Sequence, residues 1–322
     1  MNINKEKTKI GIIGVGAVGS TTAFALLTHN LVDEMILIDK DKEKASGEAL
    51  DISHCIPFVS PQVVKQGDYQ DLADADIVII TASIPMSKEL GSRMELLEKN
   101  IDIVKDTSYK LKSVGFDGIV IVISNPVDIL SYFYYKYLGL PRNQVIGSGT
   151  VLDSMRFRHN LGKQCNIDPR SIHAYILGEH GDSEVPIWSQ ANIAGMNLRD
   201  ACNICEQNCG PEVFDKMFHD ARTAAYRIIK GKGATNYAIA MSTVLICRAI
   251  IKNENRVLPV STLINDYLDI SDVYLSVPTV VNRQGVRDII KLKMNDEEKE
   301  ALQKSANILK EQVEKHLKKA NV

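Results

Sequence analysis

The sequence predicts an α/β fold, in which a doubly wound parallel sheet is followed by a mixed α+β region. Three observations carry that expectation. Short, uniformly apolar runs recur through the first half of the chain, with helix-length amphipathic stretches between them. A glycine-rich turn joins the first apolar run to the first helical stretch. After about residue 150 the alternation gives way to longer helices and to strand-like runs that follow one another directly.

Lys9–Gly14 is the first apolar run, and an Ala-rich helical stretch extends from Ala17 to about His29. The second run, Met35–Ile38, ends at Asp39, and helical spacing resumes over Glu43–Ser53. Asp76–Thr81 (DIVIIT) and Gly118–Ser124 (GIVIVIS) are the third and fourth runs, and Gln144–Gly147 opens a fifth. Strands this apolar are expected where both sheet faces are covered. Beyond them the pattern predicts a helix over Val151–Cys165, a strand at His173–Leu177, and helices over Glu212–Lys230 and Asn236–Asn253. Strand-like runs follow at Arg256–Leu263 and Val277–Val281, with a turn at Asn282–Gly285 before Val286–Leu292. Asn295 is placed to cap a last charged helix, Asp296–Lys319, with Glu297 and Glu298 near its positive end. The expected division is one domain over residues 1–148 and a second over 149–322, packed together because no repeat or Gly/Ser linker separates them.

Composition narrows the function classes. A chain of 322 residues exceeds what one small core organises. Net charge is -2 with no long basic stretch, which gives nucleic acid or an anionic membrane no purchase. No run of about 18 apolar residues is present, so no membrane span is expected. The opening MNINKEKTKIGIIGVGAVGS superficially resembles a signal peptide, but its short, glycine-rich run leads straight into a helical pattern and reads as the first strand. The six cysteines then read as reduced thiols of a cytoplasmic protein. Cys202, Cys205 and Cys209 could hold a metal with a fourth ligand such as His219; because the four-ligand spacing is incomplete, a polar helical surface is the simpler reading and no metal is expected.

Gly14-Val15-Gly16-Ala17-Val18-Gly19 follows a strand and opens a helix. Glycines there permit a tight turn and close backbone approach to a pyrophosphate seated at the helix N-terminus. Asp39 ends the next strand 20 residues beyond Gly19. A carboxylate at that point accepts from both ribose hydroxyls and repels a 2′-phosphate, which favours NAD over NADP; its competing reading is a turn or helix-entry residue.

The segments GVGAVG, ILIDK, SNPVDI, GSGTVLDSMRFR, HAYILGEHGDSEVPIWS and KGKGATNYAIAM occur in this order. Through them the chain resembles the L-lactate/malate dehydrogenase family over almost its whole length, and GEHGDSEVPIWS is closer to the lactate members. The resemblance implies a Rossmann-type NAD domain and reversible reduction of a 2-oxo acid to the L-2-hydroxy acid, with pyruvate and L-lactate the first pair. Hydride addition to a ketone leaves an alkoxide that needs a proton donor of near-neutral pKa. The family match gives that role to His180, with Asp153 fixing its tautomer and Arg156 clamping the substrate carboxylate. Read without the resemblance, Asp153 is a helix-start carboxylate and Asp153–Arg156 an intrahelical ion pair. The resemblance also makes Arg93 the group that polarises the ketone, at the end of the closing loop SIPMSKELGSR, and Asn125 and Thr235 substrate contacts. Thr81, Ala82, Ser124 and Asn125, at strand ends, join the glycine turn as cofactor contacts.

At the tip of that loop lactate members carry a glutamine and malate members an added arginine; this chain has neither. Counting back from Arg93 puts Ser87 at the discriminating position, and counting forward from Thr81 puts Met86 there. With only Lys88 to meet a second carboxylate, oxaloacetate ranks third, after pyruvate and after branched or longer 2-oxo acids such as 2-oxoisocaproate. Arg158 and His173 match the positions that bind fructose bisphosphate across a subunit interface in allosteric bacterial members, or are ordinary surface residues. A homotetramer, with a dimer as the alternative, serving glycolysis and fermentation is the assembly and setting the resemblance implies. A non-catalytic NAD-binding protein is the competing class, and it would not require His180, Asp153, Arg156, Arg93 and Asn125 together.

Overall fold

The structure is a computed structural model that describes residues 7–84, 93–201 and 210–320, without the side chains of 93–95, 199, 211 and 318–320. In chain order the elements are β1 (Lys9–Ile13), α1 (Ala17–Thr28), β2 (Glu34–Ile38), α2 (Lys42–Ser53), β3 (Val63–Gln66), β4 (Ile77–Ile80), α3 (Arg93–Ser113), β5 (Ile119–Val122), α4 (Val127–Leu138) and β6 (Val145–Gly147). They continue with α5 (Val151–Cys165), β7 (Ile172–His173), β8 (Ile176–Leu177), β9 (Val185–Pro186), β10 (Asn192–Ile193), β11 (Met196–Asn197), α6 (Leu198–Ala201), α7 (Pro211–Lys232) and α8 (Tyr237–Ile251). The last are β12 (Arg256–Tyr267), β13 (Ile270–Asn282), β14 (Gly285–Ile289) and α9 (Asp296–Ala320).

Among these residues the main sheet runs β14-β13-β12-β6-β5-β4-β1-β2-β3. The pairs from β3 to β6 are parallel, and β1 stands between β2 and β4, so the strand order reverses beside it. Successive residues of the central strands feed opposite faces. Val78, Ile80, Val120 and Val122 pack with α3 and α4, while Ile77, Ile79, Ile119 and Ile121 pack with α1, α2 and α8. Each such fully buried aliphatic side chain contributes about 1.5–3 kcal/mol. The sheet does not stop at β6: Ser261 of β12 pairs antiparallel with Gly147, which ties the later hairpin to the parallel half. A third cluster, built on Phe157, Ile172, Ile176 and Phe214 with Trp188 edge-on to Phe157 at 4.8 Å, supports the segment around His180.

Several boundaries differ from the sequence reading for local reasons. The expected strand His173–Leu177 is two, β7 and β8, which leave Ala174 and Tyr175 between them and join different small sheets. Strands β12 and β13 extend through polar residues such as Asn265 and Ser271, past a register shift at Ile264/Asn265. The edge strand β3 has only Val64 and Gln66 turned inward, too little apolar character for periodicity to mark it. Asn295 caps α9 reciprocally: its Oδ1 accepts from Glu298 N at 2.8 Å, and its own N–H donates to Glu298.

Candidate active site

The turn after β1 is shaped by its glycines. Gly14 has φ +94°, and a Cβ there would lie 2.5 Å from Ala82 N. A Cβ on Gly19 would overlap the Gly14 carbonyl. Gly16, which caps α1, instead faces open space, so the start of the helix is left clear on the side where a pyrophosphate would approach. Asp39 accepts from Val15 N at 2.8 Å and from Asp41 N at 3.1 Å, fixing its carboxylate beside the turn. The Thr81 hydroxyl donates to the Gly14 carbonyl, and that of Ser124 to the Ala82 carbonyl at 2.8 Å, which locks the ends of β4 and β5 around the same cradle. These residues fit a dinucleotide.

The second cluster centres on His180, in the connection between β8 and β9. Its Nδ1 lies 2.6 Å from Asp153 Oδ2, and Arg156 Nη1 donates to the other oxygen of Asp153 at 3.1 Å. Both partners stand in the first turns of α5, three residues apart, which is the spacing that brings side chains together on a helix. Arg156 Nη2 is buried and has no partner among the described residues. A buried guanidinium nitrogen without an acceptor is costly unless a ligand supplies one, and a carboxylate is its natural complement.

The electrostatics follow from burial and three carboxylates. Burial works against a charge on His180, but Asp153 overrides it, with further help from Asp128 and Glu184, and the pKa is pushed up to about 9. Burial also opposes ionisation of Asp153, yet His180 and Arg156 hold its pKa below the ordinary value. Glu184 has the opposite balance: burial and the charge of Asp153 outweigh His180, Arg222 and Arg156, and its pKa rises to about 8. Asp128 is raised by burial to about 6, although Ser261 and the His180 backbone pull it down.

The remaining expected positions are spread more widely. Asn125 precedes Pro126 through a cis peptide bond at the end of β5, and its carbonyl accepts from Asn100 Nδ2 at 3.5 Å. Thr235 is half-buried just before α8, next to Asn236, which donates to Thr21 of α1. Arg93 opens α3, whereas Met86, Ser87 and Cys202–Cys209 lie outside the described residues. Arg158 donates to the carbonyls of Pro169 and Arg170, and His173 is exposed on β7. Sequence reasoning passed over Asp128 and Glu184. Each lies within a quoted motif, SNPVDI or GEHGDSEVPIWS, but only burial distinguishes it from a solvated acid.

Fold and site together define a dinucleotide-dependent dehydrogenase: a parallel sheet presents a phosphate-sized turn, and the region after it carries a charge-stabilised histidine beside a half-satisfied arginine. Residues 8–147 match the family model for the lactate/malate dehydrogenase NAD-binding domain, and residues 150–320 match that for the lactate/malate dehydrogenase α/β C-terminal domain. The chain belongs to the lactate/malate dehydrogenase family. Among curated relatives, L-lactate dehydrogenase 1 of Clostridium acetobutylicum is 47% identical, covering 96% of this chain and 99% of the relative. The L-lactate dehydrogenase of Acetivibrio thermocellus is 46% identical over 97% of this chain and 98% of its own length. Among solved structures, a lactate dehydrogenase from a Medee basin deep-sea metagenome library superposes with TM-score 0.93 at 42% identity, covering 96% of this chain and 99% of that one. The ligand-bound minor L-lactate dehydrogenase of Enterococcus mundtii has the same TM-score at 38% identity, covering 97% of this chain and 99% of its own.

Proposed function

We propose that the protein is an L-lactate dehydrogenase that reduces pyruvate reversibly to L-lactate, with His180 as proton donor and acceptor. The observation that carries this reading is the Asp153-linked pair of His180 and Arg156, in which the buried Arg156 Nη2 still lacks an acceptor. Bound NADH would supply the hydride. Asp39 would take the ribose hydroxyls, and the turn from Gly14 through Gly16, Ala17 and Val18 to Gly19, with Thr81, Ala82 and Ser124, would hold the pyrophosphate and nicotinamide ends. Arg156 would pair with the substrate carboxylate, and Asn125 and Thr235 would line the same space. The second guanidinium, from Arg93, would polarise the ketone. His180 Nε2 would release its proton to the carbonyl oxygen while Asp153 stabilises the ring as long as it is charged.

Catalytic efficiency for pyruvate, 2-oxoisocaproate and oxaloacetate, each with NADH and NADPH, tests the reading. Pyruvate with NADH is expected to lead, and the His180→Ala variant to bind NADH yet lose at least a thousandfold in turnover. A lead by 2-oxoisocaproate would instead favour the runner-up, in which the loop bearing Met86 and Ser87 admits a longer side chain. Full turnover by His180→Ala would remove the histidine from the mechanism. Because His180 holds its proton to about pH 9, pyruvate reduction is expected to fall, and lactate oxidation to rise, as pH passes through that value.

A homotetramer and a fructose bisphosphate site belong to the same proposal. Phe24, Leu50, Tyr237 and Met241, on α1, α2 and α8, are each between 47% and 69% exposed, an apolar surface suited to a second copy. Arg158 is bound to the turn that leads into His173; burial lowers its pKa, Tyr175 opposes that and Arg256 adds to it, so a second guanidinium acts at the place where a phosphate would be welcome. A reducing, cytoplasmic setting suits the thiols of Cys55, Cys165 and Cys247, and a fermentative role follows from the proposed reaction alone. Adding fructose bisphosphate at a fixed, subsaturating pyruvate concentration decides the effector, and an unchanged rate removes it.

A further inference from the structure

Asp128 sits in the first turn of α4, only 2% exposed, two residues after the cis Asn125–Pro126 bond. A carboxylate in that position ordinarily serves its own helix, by capping free backbone N–H groups. Asp128 does not. Its Oδ2 accepts from the backbone N–H of His180 at 2.8 Å, 52 residues away along the chain. Its Oδ1 is buried and meets no donor at hydrogen-bonding geometry among the described residues. After burial, the Ser261 hydroxyl of β12 acts most strongly on the charge of the Asp128 carboxyl group, ahead of the His180 backbone.

Burying a carboxyl group for one backbone hydrogen bond is expensive unless the position it fixes matters. We propose that Asp128 is a positioning residue for His180, holding the backbone of the histidine from α4 while Asp153 holds its ring from α5. Gly178 and Glu179 are already tied to Ser276 and Ser305, and Asp128 extends that anchoring to the histidine's own N–H. Together the two carboxylates define where Nε2 points, and they couple a helix of the NAD-binding half to the proton donor of the other. The charge on Asp128 also favours the imidazolium. Facing His180 are Asp153 and Arg156 from α5, Asp128 from α4, and Glu184 from the end of its own connection, with Arg222 of α7 beyond Glu184; Glu179 faces Asp128.

The inference rests on His180 being the proton donor, so its test includes a readout that needs no turnover. His180 ring protons are titrated by NMR in wild type, Asp128→Asn and Asp128→Ala, alongside kcat, the KM for pyruvate and NADH affinity. Asparagine can still accept from His180 N–H but carries no charge. The expected result is a titration midpoint lower by roughly half a unit or more in both variants. Asp128→Ala should also lose at least tenfold in kcat with NADH affinity within twofold, and Asp128→Asn should recover most of that loss. An unmoved midpoint in Asp128→Asn overturns the proposal, as does undiminished kcat in a folded Asp128→Ala. Should the alanine variant not fold, the midpoint in Asp128→Asn decides alone. A moved midpoint in a protein that reduces no 2-oxo acid would leave this contact standing and refute the proposed function instead.

Discussion

Arg156 shows how one side chain can meet one sequence reading and still leave room for another. Its spacing from Asp153 predicts an intrahelical ion pair, and the pair exists at 3.1 Å, yet it occupies only Nη1. The second nitrogen of the fork is left for another acceptor, and 12% exposure of the side chain gives water little access to it. A lysine at this position would keep the charge but could not hold Asp153 and a carboxylate on two parallel nitrogens. Arg156→Lys is therefore expected to lose about 10²–10³-fold in kcat/KM for pyruvate, mostly through KM, with NADH affinity unchanged. A loss below fivefold would mean that the fork is not the carboxylate clamp. This part of the site was legible because helical spacing is local. Asp128 and Glu184 were not, since their partners arrive from distant elements and a buried acid looks in sequence like an exposed one.

At the scale of elements, the sequence was most informative where apolar runs cross a sheet covered on both faces. Strands β1, β2, β4, β5 and β6 fall within or beside the expected runs, and α5 coincides with Val151–Cys165. It was least informative where pairing, not side-chain pattern, makes the strand: β3 lies at an edge, and β7 and β8 separate because each finds a different partner. The glycine turn between β1 and α1 can be dissected by the same distinction between local and distant demands. At Gly19 a methyl group would overlap the Gly14 carbonyl, so Gly19→Ala must displace the turn from the helix. At Gly16 a methyl group would meet nothing within 4 Å, and φ -69°, ψ -170° suits any residue. Gly16→Ala should accordingly melt near wild type, within about 1 kcal/mol, yet bind NADH at least tenfold more weakly. Gly19→Ala should lose both stability and affinity. Melting curves and NADH fluorescence titrations separate the two, and wild-type affinity in Gly16→Ala would place the pyrophosphate elsewhere.

On the scale of the whole molecule, the charged cluster makes stability a function of pH. Carboxyl groups of Asp128 from α4, Asp153 from α5 and Glu184 before β9 are brought to one histidine by a sheet that continues from the NAD-binding half into the β12–β13 hairpin. Glu184 has an ordinary value of 4.5 when unfolded and about 8 when folded, raised by burial and by Asp153. Between those values the folded chain binds more protons than the unfolded one, so stability falls as pH rises. His180, raised from 6.5 to about 9, acts in the same direction: its contribution is complete below 6.5 and lost as pH climbs through 9. Asp153, held below its usual value, is neutral to the change because it stays ionised throughout this range. Wild type should thus melt several degrees lower at pH 8.5 than at pH 5.5, at equal protein concentration. Asp128, raised from 3.8 to about 6, adds a smaller fall that is complete soon above pH 6. Glu184→Gln removes one of these contributions, since an amide fits the buried position without having to ionise. Its melting temperature relative to wild type should rise between pH 5.5 and 8.5, by an amount equivalent to about 1–3 kcal/mol. A difference between the two proteins that stays constant across that interval would show that Glu184 ionises as freely in the folded chain as outside it, and that burial of the cluster is not what sets the alkaline limit of the fold.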